Sequence, residues 1–239
     1  MPVLRNGLSV TLLVASLCCG LACTPGASSS QAENERSSRL SGRLTLTGSS
    51  TVAPLLSEIG RAFEARHPDV RIDVQTGGSS RGIADARTGL ADIGMVSRAL
   101  KEGEQDLRSF TVARDGICII VHRDNPVRAL TDEQIVSIYA GRTDTWKDAG
   151  GSTGGITVVT TAPGRSTLEL FLHYIRMEST DVAADVVIGD NELGIKIVAG
   201  NPLAFGYVSI GTADYGAVNG LPIALLPVGG VPASTTTVA

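Results

Sequence analysis

The sequence predicts an α/β protein whose sheets are mostly parallel and flanked by helices. Three observations predict it. Strand-like and helix-like segments alternate along the chain, the pattern of βαβ units. Three of the strand-to-helix turns repeat one design of glycine and hydroxyl residues. And "DGICIIVHR" (115–123) is a continuous apolar run, as in strands buried on both faces.

The elements follow in order. "RLTLT" (43–47) alternates and predicts a strand. "VAPLLSEIGRAFEARH" places Val52, Leu55, Ile59 and Phe63 at helical spacing, with Pro54 in the first turn, where it is tolerated, and Pro68 as the stop. "VRIDVQT" (70–76) is a strand, "GGSSRGIADARTG" (77–89) a glycine turn and short helix, and "ADIGMVS" (91–97) a short buried strand. "LKEGEQDLRSF" (100–110) is polar and predicts a helix before the apolar strand at 117. In "TDEQIVSIYAG", Thr131 and Gln134 form a capping box, Ile135 and Ile138 give one apolar face, and Gly141 ends the helix. "GITVVTT" (155–161) is a strand, followed by a helix with Leu168, Phe171, Leu172 and Ile175 on one side. "ADVVIG", "NELGIKIVAG" and "LAFGYVSI" read as strand, helix and strand, and the tail from Leu221 adds one more strand.

Composition narrows the function. Hydrophobic residues at 43% and charged ones at 18% fit a globular chain. The formal net charge of −4 leaves no electrostatic footprint for nucleic acid, so an anion must be held by local donors. Aromatics at 4% argue against stacking platforms. Residues 1–22 carry a basic Arg5 and the apolar run "LSVTLLVASLCCGLA", too short for a membrane span and read as a secretory signal. Residues 23–41 form a small, polar, Ser-rich linker. A Cys after small residues and before a tether resembles a bacterial lipoprotein signal, which makes Cys23 the lipid anchor, although Gly20 stands where such signals prefer an aliphatic residue. The other reading is a plainly cleaved signal. Cys118 is the one cysteine beyond this region and reads as a buried small hydrophobe, so neither a disulfide nor a zinc framework is expected.

The turns "TGSST" (47–51), "GGSS" (77–80) and "GRST" (164–167) each precede a predicted helix. A helix N-terminus presents unpaired N–H groups and partial positive charge, glycine allows close backbone approach, and Ser and Thr add neutral donors. One such turn is an ordinary N-cap; three in one α/β chain point to an oxyanion site beyond the carboxyl ends of the strands. Arg165 can clamp two oxygens, and Arg81 and Arg98 stand near these turns. Asp92 suits an anion that carries a proton. As a pure acceptor it favours hydrogen phosphate and rejects sulfate.

"GSSTVAPL", "GGSSRGI", "ADIGMVSR", "TDEQIVSIYAGRTDTWKDAGG" and "NPLAFGYVSIG" together resemble the PstS-like phosphate-binding proteins of bacterial phosphate ABC transporters, from about residue 43 to the end. The resemblance implies a two-lobed periplasmic-binding-protein fold, each lobe a mostly parallel sheet flanked by helices, closing on the anion about a hinge. It implies lobe 1 over 42–121, lobe 2 over 122–207 and a return to lobe 1 over 208–239, with crossings near 122–127 and 207–212. The implied ligands are Ser50, Thr51, Ser79 or Ser80 and Asp92 from lobe 1, and Arg165, Ser166 and Thr167 from lobe 2. It also implies inorganic phosphate and permease subunits as partners, a monomer, no cofactor, no catalysis, and a place in the periplasm or at the cell surface, tied to the membrane only through the lipid anchor.

The chain departs from the family in two places. The family's second-lobe arginine lies upstream, near Thr161 here, and Arg165 stands inside the turn instead. Family chains also continue with a strand and helix, about 30–40 residues, so the first lobe is expected to be incomplete at its C-terminus. Two other functions compete. Gly78-Ser79-Ser80-Arg81-Gly82 formally matches G-x-S-x-G, which makes Ser80 the nucleophile of a serine hydrolase with His173 and Asp144 or Asp148. The second is an oxyanion sensor or adhesion module without transport.

Overall fold

β4 (Ile117–His122) is the strand around which most of the molecule packs. Its apolar run alternates between two buried layers. Ile119 and Val121 face one core with Trp146, Tyr139, Phe171, Phe205 and Tyr207, while Cys118 and Ile120 face another with Val159, Ile195 and Val208. Burial pushes the Cys118 thiol well above its ordinary range, as befits an inert small hydrophobe. Such a strand needs neighbours on both edges, and it has them: the five-stranded sheet runs β6-β5-β7-β4-β8. The structure is a computed structural model and describes residues 40–238, so the signal segment, Cys23 and nearly all of the linker lie outside the described residues.

A smaller sheet, β2-β1-β3, holds β1 (Gly42–Gly48), β2 (Val70–Thr76) and β3 (Ile93–Met95), all parallel. α1 (Ala53–Arg66) and α2 (Ser79–Thr88) connect them. In the larger sheet, β5 (Thr157–Thr161) is parallel to β6 (Val186–Ile188) and β7 (Ala204–Ser209), whereas β4 is antiparallel to β7 and β8 (Ile223–Leu226). α3 (Asp132–Tyr139), α4 (Ser166–Ile175), α5 (Asn191–Gly200) and α6 (Ile210–Val218) cover it. Both sheets belong to one compact unit.

Several expectations change. The strand at 117–122, expected to end the first lobe, sits in the larger sheet because only there are both its faces and edges covered. Residues 208–239, expected to return to the first lobe, place α6 and β8 beside β4 instead. Among the described residues the chain therefore passes between sheets once, through 96–116. Residues 100–110 form only a 3₁₀ turn at Glu102–Glu104, since the Glu104 carboxylate accepts the Lys101 N–H at 2.8 Å and is held by Arg98. On α1, Leu55 and Ile59 are exposed, and the helix packs through Ala53, Leu56 and Gly60. Gly60 brings the backbone so close that a Cβ there would lie 3.1 Å from Ile72 Cγ2. α6 was not foreseen; Ser209 caps it by accepting the Thr212 N–H.

The larger core also fixes what lies above it. Phe171 stacks on Tyr207 with centroids 3.8 Å apart, and Tyr139 meets Phe171 edge-on at 4.8 Å. The Tyr207 hydroxyl accepts the Thr161 N–H at 3.2 Å and pairs with Thr160 Oγ1 at 2.9 Å. The carboxyl end of β5 is thus bonded directly to the aromatic stack. Phe171→Ala is expected to lower stability by about 3–5 kcal/mol, read as a fall in the urea midpoint at unchanged slope. A change below about 1 kcal/mol would contradict this packing.

Candidate functional site

The three glycine-hydroxyl turns meet at the carboxyl ends of the strands. Gly48 and Gly78 have φ of 132° and 92°, in the left-handed region that favours glycine. The Gly48 carbonyl accepts the N–H groups of Gly77 at 2.8 Å and Gly78 at 2.9 Å, which locks the first turn to the second. A Cβ at Gly78 would sit 2.7 Å from Arg165 Cδ and 2.8 Å from the Gly164 carbonyl, so the third turn can approach only because Gly78 lacks one.

Four serines form a chain across this junction. Ser49 Oγ donates to Ser97 Oγ at 2.8 Å and accepts the Thr51 N–H at 3.2 Å. Ser79 Oγ accepts the Ser97 N–H at 3.2 Å and the Ser166 hydroxyl at 2.5 Å. Ser49, Ser79 and Ser166 are each buried. The last bond joins the small sheet's α2 to the large sheet's α4. Nearby the Ser80 N–H donates to the Gly164 carbonyl at 3.3 Å, and Asn191 at the start of α5 donates from Nδ2 to Thr51 Oγ1 at 3.0 Å.

The helices that begin here lack side-chain caps. α3, α5 and α6 carry side-chain caps from Thr131, Asp190 and Ser209. α1, α2 and α4 begin at Val52, Gly78 and Arg165 with no side-chain cap. Their partial positive ends lie at the junction, with the Ala53 N–H of α1 taken by the Ser49 carbonyl and the Ser80 N–H of α2 by the Gly164 carbonyl. Arg165 adds a full charge, and its buried Nη1 has no hydrogen-bond partner. The Thr161 Oγ1 beside this turn is also buried and unpartnered. Buried polar groups are normally satisfied, so this concentration of spare donors fits an oxyanion.

Of the residues predicted from sequence, Ser79 and Ser166 bond to each other, Thr51 bonds across to Asn191, and Thr167 is buried in the first turn of α4. Ser50 is half-buried and Ser80 exposed at the rim. Asp92 is elsewhere. Its Oδ2 accepts the Thr45 N–H at 2.7 Å at the amino end of β3, about 10 Å of strand from the carboxyl end that carries the serines. Arg81 is an exposed partner of Asp85 at 3.0 Å. Arg98 is buried but committed elsewhere, 2.7 Å from Glu104 and 3.2 Å from Glu169 of α4, where Lys101 also arrives at 3.0 Å. Sequence reasoning missed Ser97 and Asn191. Ser97 was within reach, since it follows β3 at the end where ligands of such sheets bind. Among the described residues no histidine bonds Ser80, whose backbone N–H donates to the Gly164 carbonyl.

A family model described as a PBP superfamily domain matches residues 29–235. The chain belongs to this family. A crystal structure from Clostridium perfringens, titled "a Putative Phosphate ABC Transporter Substrate-Binding Protein with Bound Phosphate", superposes with a TM-score of 0.75 at 32% identity, covering 82% of this chain and 80% of that one. "Phosphate-binding protein PstS" of Bacillus subtilis is 29% identical over 213 residues, 86% of this chain and 71% of that protein. "Phosphate-binding protein PstS 2" of Streptococcus pneumoniae is 36% identical over 111 residues, 46% of this chain. That match spans only 38% of the pneumococcal protein's length. The PBP fold and the family expected from the sequence motifs are both borne out.

The Arg98 network sets one acid limit of this PBP domain. The Arg98 guanidinium, then the Lys101 N–H, hold the Glu104 carboxyl at about 2, below its ordinary 4.5. A carboxyl lowered on folding contributes stability that is complete above about pH 4.5 and lost as the pH falls toward 2. Urea midpoints measured from pH 6 to pH 2.5 should therefore converge between wild type and Glu104→Gln at the acid end. Parallel curves would mean that the pair contributes nothing.

Proposed function

We propose that this chain is an extracytoplasmic receptor that captures inorganic phosphate between its two sheets and delivers it to the permease subunits of an ABC transporter. The observation that carries the reading is the buried, unpartnered Arg165 Nη1 among three uncapped helix N-termini. The names of the Clostridium and Bacillus relatives support it. Ser50, Thr51, Ser79 and Ser80 act from the small sheet, and Arg165, Ser166 and Thr167 from the large one. When phosphate enters, its oxygens replace the hydroxyl–hydroxyl bonds of the serine chain. Many fixed short donors then replace the anion's water shell, and affinity comes from geometry rather than net charge. The receptor works as a monomer without a cofactor, tethered through a lipid on Cys23.

Calorimetric titration with phosphate tests the site. Loss of charge-assisted bonds in Arg165→Ala should weaken binding about 10- to 150-fold, with the melting temperature of the free protein little changed. Equal affinity in wild type and variant would remove Arg165 from the site. The tether is tested by fractionation: Cys23→Ser is expected to move the protein from the membrane fraction to the soluble one, and a variant that stays membrane-bound would refute anchoring at this residue.

A further inference from the structure

α5 also begins at the junction, but unlike α1, α2 and α4 it carries a side-chain cap: Asp190 accepts the Leu193 N–H at 2.8 Å. Its buried face runs through Asn191, Gly194, Ile195 and Val198, the spacing of one helical stripe. Three of these positions serve the large sheet. Ile195 and Val198 pack in the core with Ile188 and Val208, and a Cβ at Gly194 would stand 2.6 Å from Ile188 Cδ1, so the helix lies close against β6. The fourth position carries an amide, only 2% exposed. Burying an amide costs stability unless it is bonded. The bond leaves the large sheet altogether: Asn191 Nδ2 donates to Thr51 Oγ1, in the first turn of the small sheet, at 3.0 Å. The Thr51 N–H is already taken by Ser49 Oγ at 3.2 Å, so the hydroxyl is what this residue has left to offer. A hydroxyl has one hydrogen and two lone pairs. With the Asn191 amide on a lone pair, the hydrogen is left to donate elsewhere.

We infer that Asn191 is a positioning residue: by donating to Thr51 Oγ1 across the junction, it fixes the Thr51 hydroxyl as a donor to the captured anion. It acts through Thr51 rather than on the anion, and only while the two sheets are in contact, since the pair spans them. Orientation of one ligand is thereby tied to closure. The inference rests on the proposed oxyanion capture with Thr51 among the ligands. A carboxylate at position 191 reverses the arrangement at nearly the same size. It would accept the Thr51 hydrogen, turn it away from the anion and add a like charge.

The experiment titrates the full chain with sodium phosphate by calorimetry, in wild type, Asn191→Ala, Asn191→Asp, Thr51→Ala and the double variant of Thr51→Ala with Asn191→Ala. Asn191→Ala is expected to weaken phosphate about 3- to 10-fold, the loss of one neutral hydrogen bond. Asn191→Asp should weaken it by more than about 100-fold. In the Thr51→Ala background, Asn191→Ala should cost less than about 2-fold, because the group through which it acts is gone. An Asn191 that only holds the sheets together would lower affinity by the same factor in both backgrounds, and that result overturns the inference. So does an Asn191→Asp variant that binds phosphate as well as Asn191→Ala does. Should Asn191→Ala fail to fold, Asn191→Leu, which continues the apolar stripe at similar volume, takes its place in the cycle on the same criteria. Binding that is lost in Arg165→Ala but indifferent to Asn191→Ala overturns the inference and leaves phosphate capture standing. If the wild type binds no phosphate, the proposed function fails and the inference falls with it.

Discussion

Three helices without side-chain caps begin at one place, and that constraint organises the rest of the structure. Each of α1, α2 and α4 begins without a side-chain cap and brings its partial positive charge to the junction of the two sheets. Like ends in one place repel, and Arg165 adds a full charge with a buried, unpartnered nitrogen. The same chain caps its other helices with Thr131, Asp190 and Ser209, so bare ends are not a habit of the sequence. The serine chain relieves part of the problem by giving hydroxyl hydrogens and oxygens to each other. It cannot supply negative charge. The local chemistry of the three turns is joined in one place.

Holding three turns in contact needs different support on each side. The large sheet provides it through β4, buried on both faces, and through the aromatic stack that reaches up to Thr160 and Thr161 by way of Tyr207. The small sheet's buried cluster is Leu46, Ala53 and Met95, with Val70, Ile83 and Ala91 also buried and Leu44, Ile93, Leu55 and Ile59 open to solvent. Its turns are instead tied by backbone bonds, Gly48 to Gly77 and Gly78, and Ser49 N–H to the Met95 carbonyl at 2.8 Å. One half of the site is thus fixed by packing and the other by hydrogen bonds between turns.

The strands, most of the helices and the three turns were legible in the sequence because each rests on local pattern: alternation in 43–47, a capping box at Thr131 and Gln134, glycine before hydroxyls at 77–80. What was not legible depended on partners far along the chain. The helical pattern of 100–110 lost to the demand of Arg98 for Glu104, and α6 was hidden by Gly211 and Gly216, poor helix formers whose helix is secured by its packing on β8. The sheet assignment of β4 and of residues 208–239 could not be read from composition, since an apolar strand fits either sheet. Asp92 was misread for a directional reason. In a parallel sheet the functional end of a strand is its carboxyl end, and Asp92 precedes β3 while Ser97 follows it.

The single passage between the sheets among the described residues gives the Arg98 network a role beyond stability. With one connection through 96–116, the backbone alone does little to fix how the small sheet meets the large one. Side-chain contacts must do so. Arg98 and Lys101 lie on that connection, and both reach Glu169 in the first turn of α4, the helix whose N-terminus carries Arg165 and Ser166. Arg98 follows Ser97 directly. The same short stretch therefore places a hydroxyl at the centre of the junction and, one residue later, grips the opposing helix with a guanidinium that is almost fully buried. Contact between the lobes and assembly of the donors are consequently one event: α4 cannot move off the junction without withdrawing Glu169 from Arg98 and Ser166 from Ser79 together.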